Sequence, residues 1–153
     1  MEARPISIVQ VRSEVIVGVT GPAAVSIGNP QCVIEAGGEL EDLDLGAIGP
    51  EIERAELFPN RTNVSFVAID GSDVRARIFE RGVGETLSSG TGASGAAVAA
   101  FLRGAPSPIT VSLDGGELTV EITEELDITL IGTAEPICAG ELSAELVTAL
   151  GET

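Results

Sequence analysis

Glu80 to Arg103 reads ERGVGETLSSGTGASGAAVAAFLR, a glycine-punctuated loop of small hydroxyl residues that runs directly into an alanine-rich apolar segment. From Gly92 to Leu102 the residues are apolar nearly all round. That pattern belongs to a helix enclosed by the rest of the fold, not to a surface helix with one greasy stripe. Its small side chains let neighbours approach closely. Ahead of it, Gly82, Gly84, Gly90 and Gly92 free the backbone, and Ser88, Ser89, Thr91 and Ser94 offer hydroxyls, one of which can cap the helix. The unpaired N–H groups of a helix start, at the positive end of its dipole, favour a carboxylate or phosphate. The stretch is an anion cradle in outline.

The remaining chain reads as short strands that would surround this helix. Ile6 to Val11 and Glu14 to Thr20 are β-branched runs separated by Arg12 and Ser13, a hairpin or two successive strands. A strand through Ala24 to Ile27 stops at Gly28-Asn29-Pro30, and Gln31 to Ala36 resumes the extended pattern. Leu40, Leu43, Leu45, Ile48 and Ile52 recur at near-helical spacing between Gly46, Gly49 and Pro50, which predicts one short helix or two covering a sheet face. Asn63 to Asp70 and Val74 to Phe79 form a hairpin about Gly71-Ser72 that delivers Glu80 to the cradle. Further strands are predicted at Ile109 to Leu113, Glu117 to Ile122, Ile128 to Ile131 and Pro136 to Ala139, with a terminal helix over Leu142 to Leu150. The architecture is α+β: a curved, largely antiparallel sheet or barrel-like roll around one buried helix. With 153 residues and no linker, the chain is expected to be one domain over 1–153.

Composition excludes several function classes. Twenty-four acidic residues against eight arginines, with no lysine, give a formal net charge of -16, which repels nucleic acid and anionic membranes. Aromatic residues make up 3%, too few for a base-stacking platform. No apolar run reaches the length of a membrane span, and the N-terminus lacks the basic end and apolar middle of a signal peptide, so a cytoplasmic location is expected. There is no histidine, and Cys32 and Cys138 both read as core thiols, so no metal is expected.

Three segments in order carry a resemblance to a known family. Glu80-Arg81-Gly82-Val83-Gly84-Glu85-Thr86 with Ser89-Gly90-Thr91-Gly92-Ala93 is similar to the second-half signature of diaminopimelate epimerases. Gly28-Asn29-Pro30-Gln31-Cys32-Val33 resembles the family's GNPHCV segment, and Phe58-Pro59-Asn60-Arg61-Thr62-Asn63-Val64 its FP-x-R-x-NV segment. The resemblance covers nearly the whole chain, but only as the family's C-terminal half-domain. It implies an epimerase-like roll and cofactor-free interconversion of LL- and meso-diaminopimelate in lysine biosynthesis. In that chemistry two cysteines face each other across a cleft; one abstracts the α-proton while the other reprotonates the opposite face.

Carried over by position, the resemblance gives Asn29, Asn63, Glu80 and Arg81 the substrate's ammonium and carboxylate groups, and Gly90 and Thr91 the anion-binding loop. The family's catalytic cysteine falls on Ser89, and the histidine of its GNPHC segment on Gln31. These departures land on the chemistry. A thiol with pKa about 8.5 is already a few per cent thiolate at neutral pH, and a helix start lowers that pKa further. A serine hydroxyl needs a neighbouring base, and here only carboxylates such as Glu80 and Glu85 remain to act.

Ser89 can therefore be a thiol replaced to trap a ligand, a natural variant with altered chemistry, or a helix cap in a domain that no longer epimerises. The expected partner is a small amino-acid substrate, enclosed by a homodimer mate or a separate N-terminal half-domain, with the isolated chain weak or inactive. The alternatives are a non-catalytic amino-acid-binding or interaction module, a designed or truncated half-domain, and a one-base dehydratase.

Overall fold

The fold is that of a computed structural model, which describes residues 4–12, 14–17, 21–134 and 136–151. Ten strands form one sheet. In chain order they are β1 (Arg4–Arg12), β2 (Glu14–Val17), β3 (Ala23–Ser26), β4 (Pro30–Glu35), β5 (Asn63–Asp70), β6 (Asp73–Glu80), β7 (Gly84–Thr86), β8 (Ile109–Leu113), β9 (Gly116–Ile122) and β10 (Asp127–Ala134). Three α-helices, α1 (Leu45–Glu53), α2 (Gly90–Leu102) and α3 (Ala144–Gly151), and a 3-10 turn over Gly37–Asp42 complete the described elements.

The sheet runs β1-β10-β9-β8-β6-β5-β4-β3-β2, with β7 added alongside β6. Pairing is antiparallel except between β4 and β5 and between β6 and β8. Strands consecutive in the chain, β1 and β2, therefore lie at opposite ends of the sheet order. Only one residue separates Arg12 from Glu14, so their Cα atoms stand no more than about 7 Å apart, and the sheet must curl until its two ends meet. This settles the choice left open at Arg12 and Ser13: β1 pairs with β10 and β2 with β3, so the two runs are successive strands and not a hairpin. Ser13 and the Gly18, Val19 and Thr20 end of the predicted second strand lie outside the described residues.

α2 fills the curl. It is in contact with β3, β4, β5, β6, β8, β9 and β10, and Ala93, Ala96, Ala97, Val98 and Ala100 are wholly buried. Period-2 alternation divides the strand residues between two faces. Val67, Val74, Ala76 and Ile78 turn inward to α2, while Val64, Phe66 and Phe79 turn outward to Leu40 and Leu45 of the 3-10 turn and α1. The apolar segment over Leu40 to Ile52 thus becomes two short helical pieces on the outer sheet face. Contact there is close: a Cβ on Gly49 would stand 2.5 Å from the Phe79 ring.

Two expectations are corrected. Pro136 to Ala139 is irregular, with Ile137 98% exposed; β10 already has β1 on one side and β9 on the other, leaving no edge for another strand at that place. Cys138 is exposed and not a core thiol, whereas Cys32 is buried on β4. The strand β7 arises within what the sequence shows only as loop. No described helix is long and apolar enough to cross a membrane.

Candidate functional site

The start of α2 is built as its sequence requires. Ser89 is the N-cap, with extended backbone torsions; its Oγ accepts the Gly92 N–H at 3.3 Å and its carbonyl accepts the Ala93 N–H at 2.9 Å. The amides of Gly90 and Thr91, being the first of the helix, have no intrahelical acceptor to reach. No acidic side chain occupies this first turn to neutralise the helix's positive end. The loop before Ser89 is fixed from below, since the Gly115 N–H of the β8–β9 turn donates to the Leu87 carbonyl at 2.6 Å. A Cβ on Gly115 would lie 2.7 Å from that oxygen, so the turn must carry glycine there.

A second arm comes from the β3–β4 connection. Gly28 turns the chain at φ +79°, and Pro30 opens β4, a position where its missing N–H costs no ladder bond. The buried Gln31 donates from Nε2 to Asn29 Oδ1 at 2.8 Å, and Asn29 donates from Nδ2 to the Thr91 hydroxyl at 3.4 Å. A polar chain thus runs from inside the sheet to the mouth of α2. Gln31 Oε1 is buried without a partner; such an acceptor costs about 1–3 kcal/mol until a donor meets it. Gly95 on α2 makes room for this glutamine, since a Cβ there would come within 3.0 Å of the Gln31 side chain.

The third arm is a pair of turns clamped together. Asn63, buried at the start of β5, accepts the Arg81 backbone N–H on Oδ1 at 2.8 Å, and the Arg81 guanidinium donates to the Asn60 carbonyl at 2.8 Å. The neighbouring Gly82 N–H donates to Glu53 Oε1 at 3.0 Å. Gly82 has φ +77°, which glycine adopts without strain. Glu80 is half-buried where β6 ends, and its carbonyl accepts the Val83 N–H at 3.0 Å.

Sheet register brings the arms together. Gln31 and Asn63 are direct partners on the parallel strands β4 and β5. Val64 faces Phe79 across β5 and β6, so Asn63 and Glu80 stand at the same end of the next pair. Asn29, Gln31, Asn63, Glu80 and Arg81 therefore collect at one end of three adjacent strands, with Thr91 tied to Asn29. Ser89 makes no hydrogen bond to Glu80 or Gln31 among the described residues; its recorded side-chain partner is Gly92. A cavity of about 310 Å³ adjoins the cluster, lined by Asn29, Gln31, Phe58, Asn60 and Arg61 among others, while Ser89, Glu80 and Arg81 lie outside it. Burial pushes the Cys32 thiol up to about 11, so it is not a base at neutral pH.

Glu53 was not legible as a site residue. Apart from its neighbour Arg54, its side-chain partners lie eight and twenty-nine residues away in sequence.

Comparison with known proteins places the chain in a family. Residues 23–137 match the family model described as diaminopimelate epimerase. The chain is 44% identical over 122 residues to a diaminopimelate epimerase of Synechococcus sp. (strain JA-3-3Ab), covering 76% of this chain and 43% of that protein. To the diaminopimelate epimerase of Bacillus mycoides it is 44% identical over 121 residues, covering 76% and 42%. The chain thus spans under half the length of these curated relatives. In fold it is similar to a solved structure described as a predicted epimerase from Pseudomonas aeruginosa, with a TM-score of 0.59 and 16% identity over 84% of this chain and 57% of that one.

Proposed function

This chain belongs to the diaminopimelate epimerase family, and from that premise we propose that it is an amino-acid-binding epimerase-type domain, residues 1–153 forming one half of a diaminopimelate site. In this reading it serves lysine biosynthesis in the cytoplasm and works without a cofactor. The observation that supports it is the gathering of Asn29, Gln31, Asn63, Glu80 and Arg81 at one end of β4, β5 and β6, with Asn29 hydrogen-bonded to Thr91 in the first turn of α2. Opposite charges are thereby set for the two ends of an amino acid: Glu80 for an ammonium, and the helix start or the planar fork of Arg81 for a carboxylate.

Removing the α-proton leaves an electron pair on the α-carbon, and a carboxylate held at a helix N-terminus stabilises that charge. By the motif resemblance, Ser89 takes the position of the family's catalytic cysteine. Its hydroxyl can hydrogen-bond or hand on a proton but cannot take one at neutral pH without a base beside it. The proton-abstracting group is therefore assigned to a separate N-terminal half-domain; a second copy of the chain could close the cleft but would bring the same hydroxyl. Leu57, Val83 and Leu87 support a covered face: they are 69%, 73% and 67% exposed and come from the loops that carry the candidate groups. The test is deuterium incorporation at the α-carbon of diaminopimelate in heavy water. The expected result is weak or no exchange by the chain alone and clear exchange with its N-terminal half; none under any condition sinks the epimerase reading.

A second reading rests on the Ser89–Gly92 hydrogen bond. If Ser89 serves only as a cap, the domain binds an amino acid without turnover. Calorimetry would then give binding of diaminopimelate with no exchange, and Arg81→Ala would weaken that binding. An unchanged affinity in Arg81→Ala removes the basis of this second reading.

A further inference from the structure

We propose that Glu53 is a positioning residue for the amino-acid site: its buried carboxylate holds the Glu80–Gly82 turn and the Phe58–Asn63 segment in register. The proposal rests on the reading that these segments grip the substrate. Glu53 is the last residue of α1, and its side chain is 3% exposed. Burying a carboxylate is costly unless hydrogen bonds and opposite charge compensate it.

The compensation here comes from both sides of the site. Oε1 accepts the Gly82 N–H at 3.0 Å and lies 3.6 Å from an Arg61 nitrogen, while Oε2 lies 3.8 Å from Arg54. The two arginines are 53% and 64% exposed, so each remains largely hydrated and offsets the buried charge only in part. A residue serving packing alone would carry no charge at this place. The backbone of Glu53 joins in, its carbonyl accepting the Thr62 N–H at 3.2 Å.

Two consecutive amides of the turn are thus held by two different side chains, Arg81 by Asn63 and Gly82 by Glu53. One anchor allows a turn to pivot; two adjacent anchors fix its direction and with it the exit of the Arg81 side chain. The same carboxylate faces Arg61, a non-glycine residue at φ +59° on the rim of the 310 Å³ cavity. Glu53 touches none of the groups proposed to meet substrate, so its influence passes through the turns.

The test pairs amide hydrogen exchange with calorimetry, using diaminopimelate and the wild-type, Glu53→Gln and Glu53→Ala chains. Glutamine keeps an oxygen for Gly82, so its exchange there stays near wild type. Alanine keeps none, and Gly82 and Arg81 amide exchange should rise about tenfold while α2 and β8 stay protected, with affinity falling about tenfold, as expected for one lost charge-assisted hydrogen bond. Should Glu53→Ala fail to fold, Glu53→Asp, which withdraws the carboxylate by one methylene, carries the same expectation. Unchanged exchange at Gly82 overturns the proposal, and so does a loosened turn with unchanged affinity. A wild-type chain that binds no diaminopimelate refutes the substrate reading instead, and the exchange rates still decide whether Glu53 holds the turn.

Discussion

Gly92 on α2 and Ile78 on β6 are so close that a Cβ on the glycine would stand 2.6 Å from Ile78 Cδ1 and 3.0 Å from its Cγ2. This contact seats the first turn of α2 against the sheet. On helix propensity alone, Gly92→Ala would stabilise by about 1 kcal/mol. Overpacking a closed core costs about 1–3 kcal/mol, so the clash prevails and Gly92→Ala is expected to destabilise. Urea denaturation measures it, and Ile78→Val, which removes the nearest atom, should recover part of the loss in the double variant.

Ser89 carries a structural duty separate from any chemistry. Its Oγ receives the Gly92 N–H, and replacing an N-cap serine by alanine costs about 1 kcal/mol. Ser89→Ala should lower the urea midpoint accordingly. A drop well below that value in a correctly folded variant would show that the cap contributes little.

Ser89→Cys probes the chemistry. A thiol at the start of α2, whose first turn holds no acidic side chain, has its pKa lowered by the helix dipole and supplies its own base. Deuterium incorporation into diaminopimelate should rise about tenfold or more over the wild-type chain, the scale of adding a positioned base. If the variant folds and exchange does not rise, the hydroxyl is not what limits this half-site.

How far these features could be read from the sequence depends on how local their causes are. The cap at Ser89, the burial of the helix that follows and the break at Gly28-Asn29-Pro30 rest on neighbouring residues, and each stands in the structure, though burial covers Gly92 to Ala100 and leaves Phe101 and Leu102 half-buried. The closing of the sheet does not: whether β1 pairs with β2 or with β10 is decided by partners more than a hundred residues away. Pro136 to Ala139 has a strand's composition but lacks a free edge, which composition cannot express. The grouping of Gln31, Asn63 and Glu80 at one sheet end was reached only through the family resemblance, and Glu53 had no local signal because two of its partners, Arg61 and Gly82, come from separate loops.

Arg77 is a further residue whose importance emerges only from the fold. Its guanidinium donates to the carbonyls of Leu40 (3.0 Å) and Leu43 (2.9 Å) and pairs with Glu85 at 2.7 Å, tying the 3-10 turn and β7 to β6. Lysine has the charge but not the planar fork that serves both sides at once. Arg77→Lys should therefore cost about 1–3 kcal/mol, the range for leaving buried acceptors unmet. A urea midpoint equal to wild type would mean that water replaces the lost donors.

Cys32 gives the expected dependence on alkaline pH. Burial raises its thiol from an ordinary value of 9.0 to about 11, because the thiolate would lose its hydration on β4. In the unfolded chain the thiol ionises first, so this contribution to stability is complete below about pH 8.5 and is lost as the pH rises through the folded value. Urea midpoints should hold between pH 7 and pH 8 and fall progressively toward pH 11, with part of that slope absent in Cys32→Ala. The same burial predicts that a thiol reagent at pH 8 labels the exposed Cys138 at once and reaches Cys32 only on unfolding. Equal labelling rates for both thiols in the folded chain would contradict the burial of Cys32.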